Sequence, residues 1–501
     1  MFEGLRESIF EWEDIEKKLL LAIFYGKLMW SNNSGNYFDN EIEEHIFNCL
    51  NKEIGKIYSL NLNQQEFAVT LIVSELYPLG GHTRIVVDWL RLMSPFYRHR
   101  LIVTRAIPEA IESEIKSFGV DVFRCRFSGK KKIEEIVSYG RGSNFIVLHI
   151  HPDDIVAAVA SRIFSKLGKK IVFYNHADHA FSFGIGSADI VCEISKFGME
   201  LNKKSKRVKG EHCWLGIPVK GENDREASSY RKKFFLLKEK PEKILLSCGN
   251  SWKYRPFGQI SFDNFLDALL SRRSDIKVVM VGPTGKEGWW HKTKAKWKHK
   301  VDFKGFLPYN EYYDLLKKAD VYVDSFPVTG GTAFSEALLH SVPGVGLKLG
   351  VEGYSCADFL RVRDIGSAIE RVEAILNSEE RIFNLMNDTF AKLEKFNSIE
   401  AFKNRLFKLY SMDLGNLKNI PCAGEICWNF FDLFISQNKK IEFPLPVSLS
   451  RLNFWYRLKT FKKFWPVRKN ISTRSIIKFI IVVFLGEKYK WLARLKKILT
   501  V

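Results

Sequence analysis

From Phe67 onward the chain alternates between two hydrophobic rhythms. Short apolar runs, "FAVTLIVSEL", "RHRLIVTRA", "NFIVLHIH", "KKIVFYNH" and "ADIVCEIS", are separated by stretches such as "TRIVVDWLRLM", "EAIESEIKSFG" and "DIVAAVASRIFSKLG", in which apolar residues recur every three or four positions. A continuous apolar run predicts a strand buried on both faces, and the longer period predicts an amphipathic helix. Their regular alternation predicts a parallel sheet covered on both sides by helices. A polar stretch, "KGENDREASSYRKK", interrupts the pattern. It then restarts with "KILLSCGN", "NFLDALLSR", "IKVVMVG", "VDFKGF", "EYYDLLKKA", "DVYVDSF" and "TAFSEALLHS". The expected fold class is α/β, with two tandem Rossmann-like, doubly wound domains over residues 67–222 and 223–385. In such sheets ligands collect at the carboxyl ends of the strands, so two such domains are expected to face a cleft.

The flanks read differently. Residues 1–66 show helical periodicity ("LRESIFEWEDIEKKLLLAIF", "EIEEHIFNCLNKEI") around "SNNSGN" and predict a helical N-terminal extension. Residues 386–501 predict a helical, basic, aromatic C-terminal extension.

Charge sharpens this division. Of the net +20, residues 451–501 contribute fourteen Lys or Arg against the single acid Glu487, whereas residues 1–66 carry twelve acids and six bases. A basic tail with Trp455, Tyr456, Phe461, Phe464, Trp465 and Trp491 predicts contact with an anionic membrane surface. Its longest apolar run, Phe479 to Leu485, is seven residues and too short to span a bilayer. No nucleic-acid-binding motif accompanies the charge, so nucleic acid is not an expected partner. The eight cysteines form no CxxC, which argues against a zinc ribbon or a disulfide framework. The acidic N-terminus lacks the basic start of a secretory signal. A cytoplasmic protein, peripheral at the inner face of the membrane, is expected.

The stretch "SFPVTGGTAFSEALLHSVPG", Ser325 to Gly344, carries the most specific chemistry. Gly330, Gly331 and Thr332 start a helix directly after a strand. The first N–H groups of a helix have no intrahelical partner and sit at the positive end of its dipole, so a diphosphate fits there. Glu336, one turn later, can accept hydrogen bonds from two ribose hydroxyls.

The segment "VDFKGFLPYNEYYDLLKKADVYVDSFPVTGGTAFSEALLHSVPGVGL" resembles the nucleotide-binding half of GT-B-fold, group 1-like glycosyltransferases. "LYPLGGHTRIVVDWL" resembles their glycine-rich acceptor-side loop, and "FIVLHIHPDD", "KIVFYNHADHAF" and "VCEIS" resemble later strands of the same domain. The resemblance covers residues 67–385. It implies an acceptor domain over 67–222, a nucleotide-sugar donor domain over 223–385, a metal-independent hexosyltransferase, and a UDP-sugar as donor substrate with no further cofactor. Many retaining members carry a second glutamate eight positions before Glu336, where Val328 stands here. The turn also resembles the O-GlcNAc transferase-like family, as does "CGNSWKYRP". By that likeness Lys253 neutralises the diphosphate, with Arg255 as a second cation.

Glycosyl transfer also needs a group to deprotonate the acceptor. His82 in "GGHTR" lies at a strand end beside Gly80 and Gly81, and Gly81 permits close approach of the backbone. His176, Asp178 and His179 in "NHADHAF" follow another strand. Phe306 and Leu307 in "FKGFLPYNE" are candidates for contact with the base, and Gly282 for lining the site. The expected acceptor is a lipid-linked or polysaccharide hydroxyl, as in surface-glycan or lipopolysaccharide assembly; a protein acceptor is the alternative within the class. Two readings of other classes stand beside it. One is a nucleotide-sugar-binding protein without turnover. The other is a metallohydrolase using His149, His151 and Asp153 of "HIHPDD".

Overall fold

The apolar runs form strands because both of their faces are covered. In the computed structural model, which describes residues 2–32, 35–54, 68–78, 80–205, 210–221, 234–349, 353–420 and 447–489, two compact units each enclose one sheet. The polar stretch at 220–233 lies outside the described residues except for Lys220 and Gly221, and so does the tail beyond 489.

The first unit takes its described residues from 1–193, 198–213 and 447–489. Its strands are β1 (Ala68–Glu75), β2 (Arg98–Ala106), β3 (Asp121–Arg124), β4 (Phe145–His149), β5 (Lys170–Asn175), β6 (Ile190–Glu193) and β7 (Glu211–Trp214). They lie in the order β3-β2-β1-β4-β5-β6-β7. β1 pairs in parallel with both β2 and β4, so the order reverses between β1 and β4. The acids of "HIHPDD" are structural. Asp154 caps the helix Ile155–Lys166 by accepting from Ala157 N, and it also accepts from Ser74 Oγ at 2.6 Å and Thr104 Oγ1 at 2.5 Å. Asp153 accepts from Arg105 at 2.5 Å.

The two flanks meet on this unit. The helix Ile15–Ser31 packs Phe24 against Phe464 and Phe479, with ring centroids 6.2 and 6.0 Å apart, and all three rings are buried. Burying each such ring contributes about 1.5–3 kcal/mol. At Gly26 the same helix comes so close that a Cβ would lie 2.6 Å from the Phe183 ring. Buried Glu43 is matched by Arg162 at 3.0 Å and by Gly184 N at 2.8 Å. That acid fixes the helix Asn40–Ile54 to the sheet domain.

The second unit takes its described residues from 194–197, 214–221, 234–349 and 353–420. Its strands are β8 (Lys243–Cys248), β9 (Ile276–Val281), β10 (Val301–Gly305), β11 (Val321–Val323), β12 (Gly344–Leu347) and β13 (Arg361–Val362), in the order β10-β9-β8-β11-β12-β13. All pairings are parallel, with the reversal between β8 and β11. The helix Glu380–Asn397 runs through the boundary expected at 385, and its Phe383, Met386 and Leu393 join the core of this unit. Arg405 in the helix Ile399–Tyr410 donates to Leu215 O and Phe396 O, both at 2.7 Å, and stacks 4.3 Å over Trp214. Residues 386–420 therefore pack with the second sheet, and the basic residues 447–489 pack with the first.

Candidate functional site

In each sheet the order reversal leaves a crevice at the carboxyl ends of the two central strands, where the chain departs in opposite directions. Of the candidate residues of the second unit, Lys253, Arg255, Gly330, Gly331, Thr332 and Glu336 follow β8 and β11, whereas Gly282 follows β9, and Phe306 and Leu307 follow β10. After β8 the chain makes a tight turn at Ser251–Tyr254, and after β11 it runs through "DSFPVTGG" into the helix Thr332–Leu339. The two loops interlock. Val328 N donates to Lys253 O at 3.1 Å, and the Lys253 ammonium donates to Thr329 O at 2.7 Å. Lys253 thus reaches the glycine turn across 76 residues of sequence. Burial lowers its pKa, and the nearby Asp324 carboxylate opposes that shift.

Asp324 organises the turn, a role the sequence did not reveal. Its fully buried carboxylate accepts from Ser325 N at 2.9 Å, from Gly330 N at 3.1 Å and from Arg361 Nη2 at 2.8 Å. The Gly330 N–H, expected to face a diphosphate, is therefore already engaged. Gly330 is a glycine because a Cβ would stand 2.1 Å from Asp324 Oδ1. Donors for an anion begin one residue later. Gly331 has φ +46° and ψ −111°, and the space its Cβ would take is open. Gly331→Ala is expected to cost about 1–3 kcal/mol through backbone strain alone. Gly330→Ala is expected to cost more, because an anchored buried carboxylate cannot yield; parallel urea denaturation of the two variants checks the order.

Glu336 lies one turn into that helix, buried, and accepts from the Tyr309 hydroxyl at 2.6 Å. Cys248, at the end of β8, has its thiol pushed up to about 12 by burial and by the Glu336 charge, so it stays un-ionised. Gly282 is a packing glycine, with φ +107° and a Cβ position 2.0 Å from Gly249 O. Phe306 is 66% exposed, Leu307 is half-buried and Arg255 is exposed.

In the first unit, His82, His149 and His176 come together at the ends of β1, β4 and β5, each with one ring nitrogen within 4.8 Å of the others. The His82 and His176 rings are 4.0 Å apart, and His149 Nδ1 lies 3.0 Å from His176 Nε2. His82 Nε2 is 3.1 Å from His149 O, so it carries the proton and leaves Nδ1 with its lone pair. His149 Nε2 is buried without a hydrogen-bond partner. A proton there would be a stranded donor, so we assign it to Nδ1, donated to His176 Nε2. A cation on His149 Nδ1 would drive that proton back onto the orphaned Nε2, so hydrogen-bonded neutral imidazoles fit this cluster better than metal ligands do. His151 and Asp153 stand apart as their own pair, 2.5 Å from each other, with Arg105 on the same carboxylate oxygen. Asp178 is buried and 3.2 Å from His179 Nδ1. A buried network missed in the sequence lies nearby, with Asn175 and Asn202 both donating to Glu193.

Burial pushes the His82 imidazole down to about 4, and burial holds His149 and His176 well below the usual histidine range. Between pH 6.5 and 4 the unfolded chain takes up protons that the native cluster does not. Stability should therefore rise with pH through that window and level off above it. A tenfold difference in proton affinity between the folded and unfolded chain corresponds to about 1.4 kcal/mol. Denaturant titrations at pH 7, 5.5 and 4.5 check this, and a flat profile would contradict the neutral cluster.

No protein-family model and no curated protein matches the sequence. Among solved structures, the chain is similar to Anabaena HepE in complex with UDP, with 15% identity and a TM-score of 0.52 over 69% of this chain and 100% of that one. A second HepE complex, with UDP and glucose, gives 15% identity and a TM-score of 0.50 over 68% and 99%. A point mutant of the Thermobaculum terrenum O-GlcNAc transferase gives 10% and 0.49 over 83% and 81%. The tandem Rossmann-like sheets are those of a GT-B glycosyltransferase-like fold.

Proposed function

We propose that this chain transfers a hexosyl group from a nucleoside-diphosphate sugar, with UDP as the favoured carrier, to a hydroxyl acceptor. The observation that carries this reading is the hydrogen bond from Lys253 to Thr329 O, in the turn that leads into the helix start at Gly331 and Thr332, at the order reversal of the second sheet. A cation, helix-terminal N–H groups and a dipole converge where a diphosphate would lie. Glu336, one turn further, would hold the ribose, and Phe306 and Leu307 would contact the base. The similar HepE structure carries UDP, which supports the same donor class here.

In the reaction the bond from the anomeric carbon to the diphosphate oxygen breaks, and its electron pair leaves with the diphosphate. Lys253 and the helix N-terminus stabilise that charge without a metal ion, and Arg255 adds a cation. The acceptor oxygen bonds to the anomeric carbon, and its proton passes to His82 Nδ1, the ring atom left with a lone pair. His176, holding its proton on Nδ1, serves as a hydrogen-bond donor to sugar or acceptor, beside Asp178 and His179. The basic, aromatic C-terminal region supports a lipid-linked acceptor of the surface-glycan class, met at the cytoplasmic face of a membrane.

The test is release of nucleoside diphosphate from a panel of UDP-, GDP- and ADP-hexoses, with and without EDTA. Turnover with one base, insensitive to EDTA and lowered on the order of 10²–10³-fold in Lys253→Ala, is expected. Turnover unchanged in Lys253→Ala would contradict the assignment.

A further inference from the structure

The helix Thr473–Leu485 buries Ser475, Phe479, Val482 and Val483 and turns a second apolar stripe outward. Ile477 is 53% exposed and Phe484 64% exposed, with Ile481 and Leu485 on the same helical face. The Phe484 ring lies 6.1 Å from Phe454, which lies 5.5 Å from Trp455, itself 72% exposed. Six large apolar side chains thus form one patch, whereas single exposed ones would mean little.

The chain continues from this stripe to Glu487, which with Arg451, Arg126, Lys131, Lys132 and Phe127 lines a cavity of about 740 Å³. Four cations face one acid there. Arg451 Nε is 3.9 Å from Glu487, and the Lys132 ammonium donates to Thr104 O at 2.6 Å. Arg126 and Lys131 make no ion pair among the described residues, and the Lys131 ammonium lies 5.6 Å from the centroid of the exposed Phe127 ring. Residues 451–489 carry ten Lys or Arg and one acid. Nucleic acid would have no use for Ile477, Ile481 and Leu485, and an apolar protein partner would have no use for the cations. An anionic bilayer uses both, taking aromatic and aliphatic side chains at the acyl boundary and cations at the phosphates. Among the described residues, no helix is long and apolar enough to cross a membrane.

We infer that this face seats the chain on an anionic bilayer, the stripe entering the interface and the adjoining basic cavity holding a lipid headgroup phosphate. The inference rests on the first unit's surface alone and stands or falls separately from the donor site in the second.

Flotation of the full chain with phosphatidylcholine vesicles, pure or mixed with phosphatidylglycerol, tests it. The chain should float with the mixed vesicles, progressively less as salt rises, and stay behind with the pure ones. Arg126→Gln, Lys131→Gln and Arg451→Gln together should weaken binding on the order of a hundredfold, about fivefold per cation. Phe484→Ser with Trp455→Ser should abolish most of it. All five side chains are exposed, so melting temperatures and UDP response should be retained. Equal binding to neutral vesicles, or binding untouched by both variant sets, would overturn the inference. Stabilisation by inorganic phosphate without vesicle binding would overturn it too, reassigning the cavity to a soluble anion.

Discussion

Replacing Asp324 with alanine is expected to cost the second unit about 3–5 kcal/mol and to abolish nucleotide binding. The Asp324 and Arg361 side chains are 0% and 2% exposed, and the ion pair between them is 2.8 Å long. The same carboxylate takes up the N–H groups of Ser325 and Gly330. Its removal strands two backbone donors and takes one of the carboxylate partners of a buried guanidinium, which keeps its ion pair with Asp358. An unsatisfied buried donor costs about 1–3 kcal/mol, so the two stranded N–H groups account for most of the expected loss. The turn that presents Gly331 and Thr332 is folded around this carboxylate, so binding should fail with it. Asp324→Asn, which keeps the shape and loses the charge, should fall between. Hydrogen exchange at Ser325 and Gly330, followed with urea denaturation, measures the effect. A loss below about 1 kcal/mol would contradict the role given to this residue.

His82→Ala should lower kcat by about 10²–10⁴-fold while leaving the affinity for UDP unchanged, because the residue lies in the first unit and acts on the acceptor proton. With the imidazole at about 4 in the free protein, kcat/KM should hold level at neutral pH and fall on acidification as the ring protonates through that value. His149→Phe removes the donor that fixes His176 and should lower kcat with little change in the KM of the donor sugar. Steady-state kinetics on the three proteins separate these roles. Wild-type kcat in His82→Ala would remove it as the base.

Much of the fold was legible because burial on both faces leaves an unmistakable record. The runs that form β1, β4, β5, β8 and β9 are nearly uninterrupted in apolar residues, and the restart after residue 233 announced the second sheet. The glycine turn and Glu336 were singled out by their place at the start and first turn of a helix after a strand, and Lys253 by the resemblance of "CGNSWKYRP". Asp324 was not, since an acid after "VYV" looks like any strand terminus, and its partner Arg361 stands 37 residues away. Tyr309 was hidden at the start of a charged helix whose outward face reads as solvated. His149 pairs with His151 in the sequence because they share a motif, and alternation would put residues two apart on one face; but β4 ends at His149, and His151 falls in the loop that follows. The packing of Trp89 and Tyr174, each 5.0 Å from its ring, shows which side His149 takes. The union of the two flanks was illegible for a different reason. Helical periodicity shows that each has an apolar face, and nothing in it shows that residues some 440 positions apart cover one another.

The proposed donor site, at the end of β11 and the start of the next helix, should hold a nucleoside diphosphate. Thermal melting of the full chain against UDP, GDP, ADP and CMP, with and without EDTA, tests it most directly. At about a hundred times its dissociation constant, a bound diphosphate should add roughly 2.7 kcal/mol. A shift with UDP that survives EDTA and disappears in both Lys253→Ala and Glu336→Ala is expected. No shift with any nucleotide, or a shift retained in both variants, would contradict it.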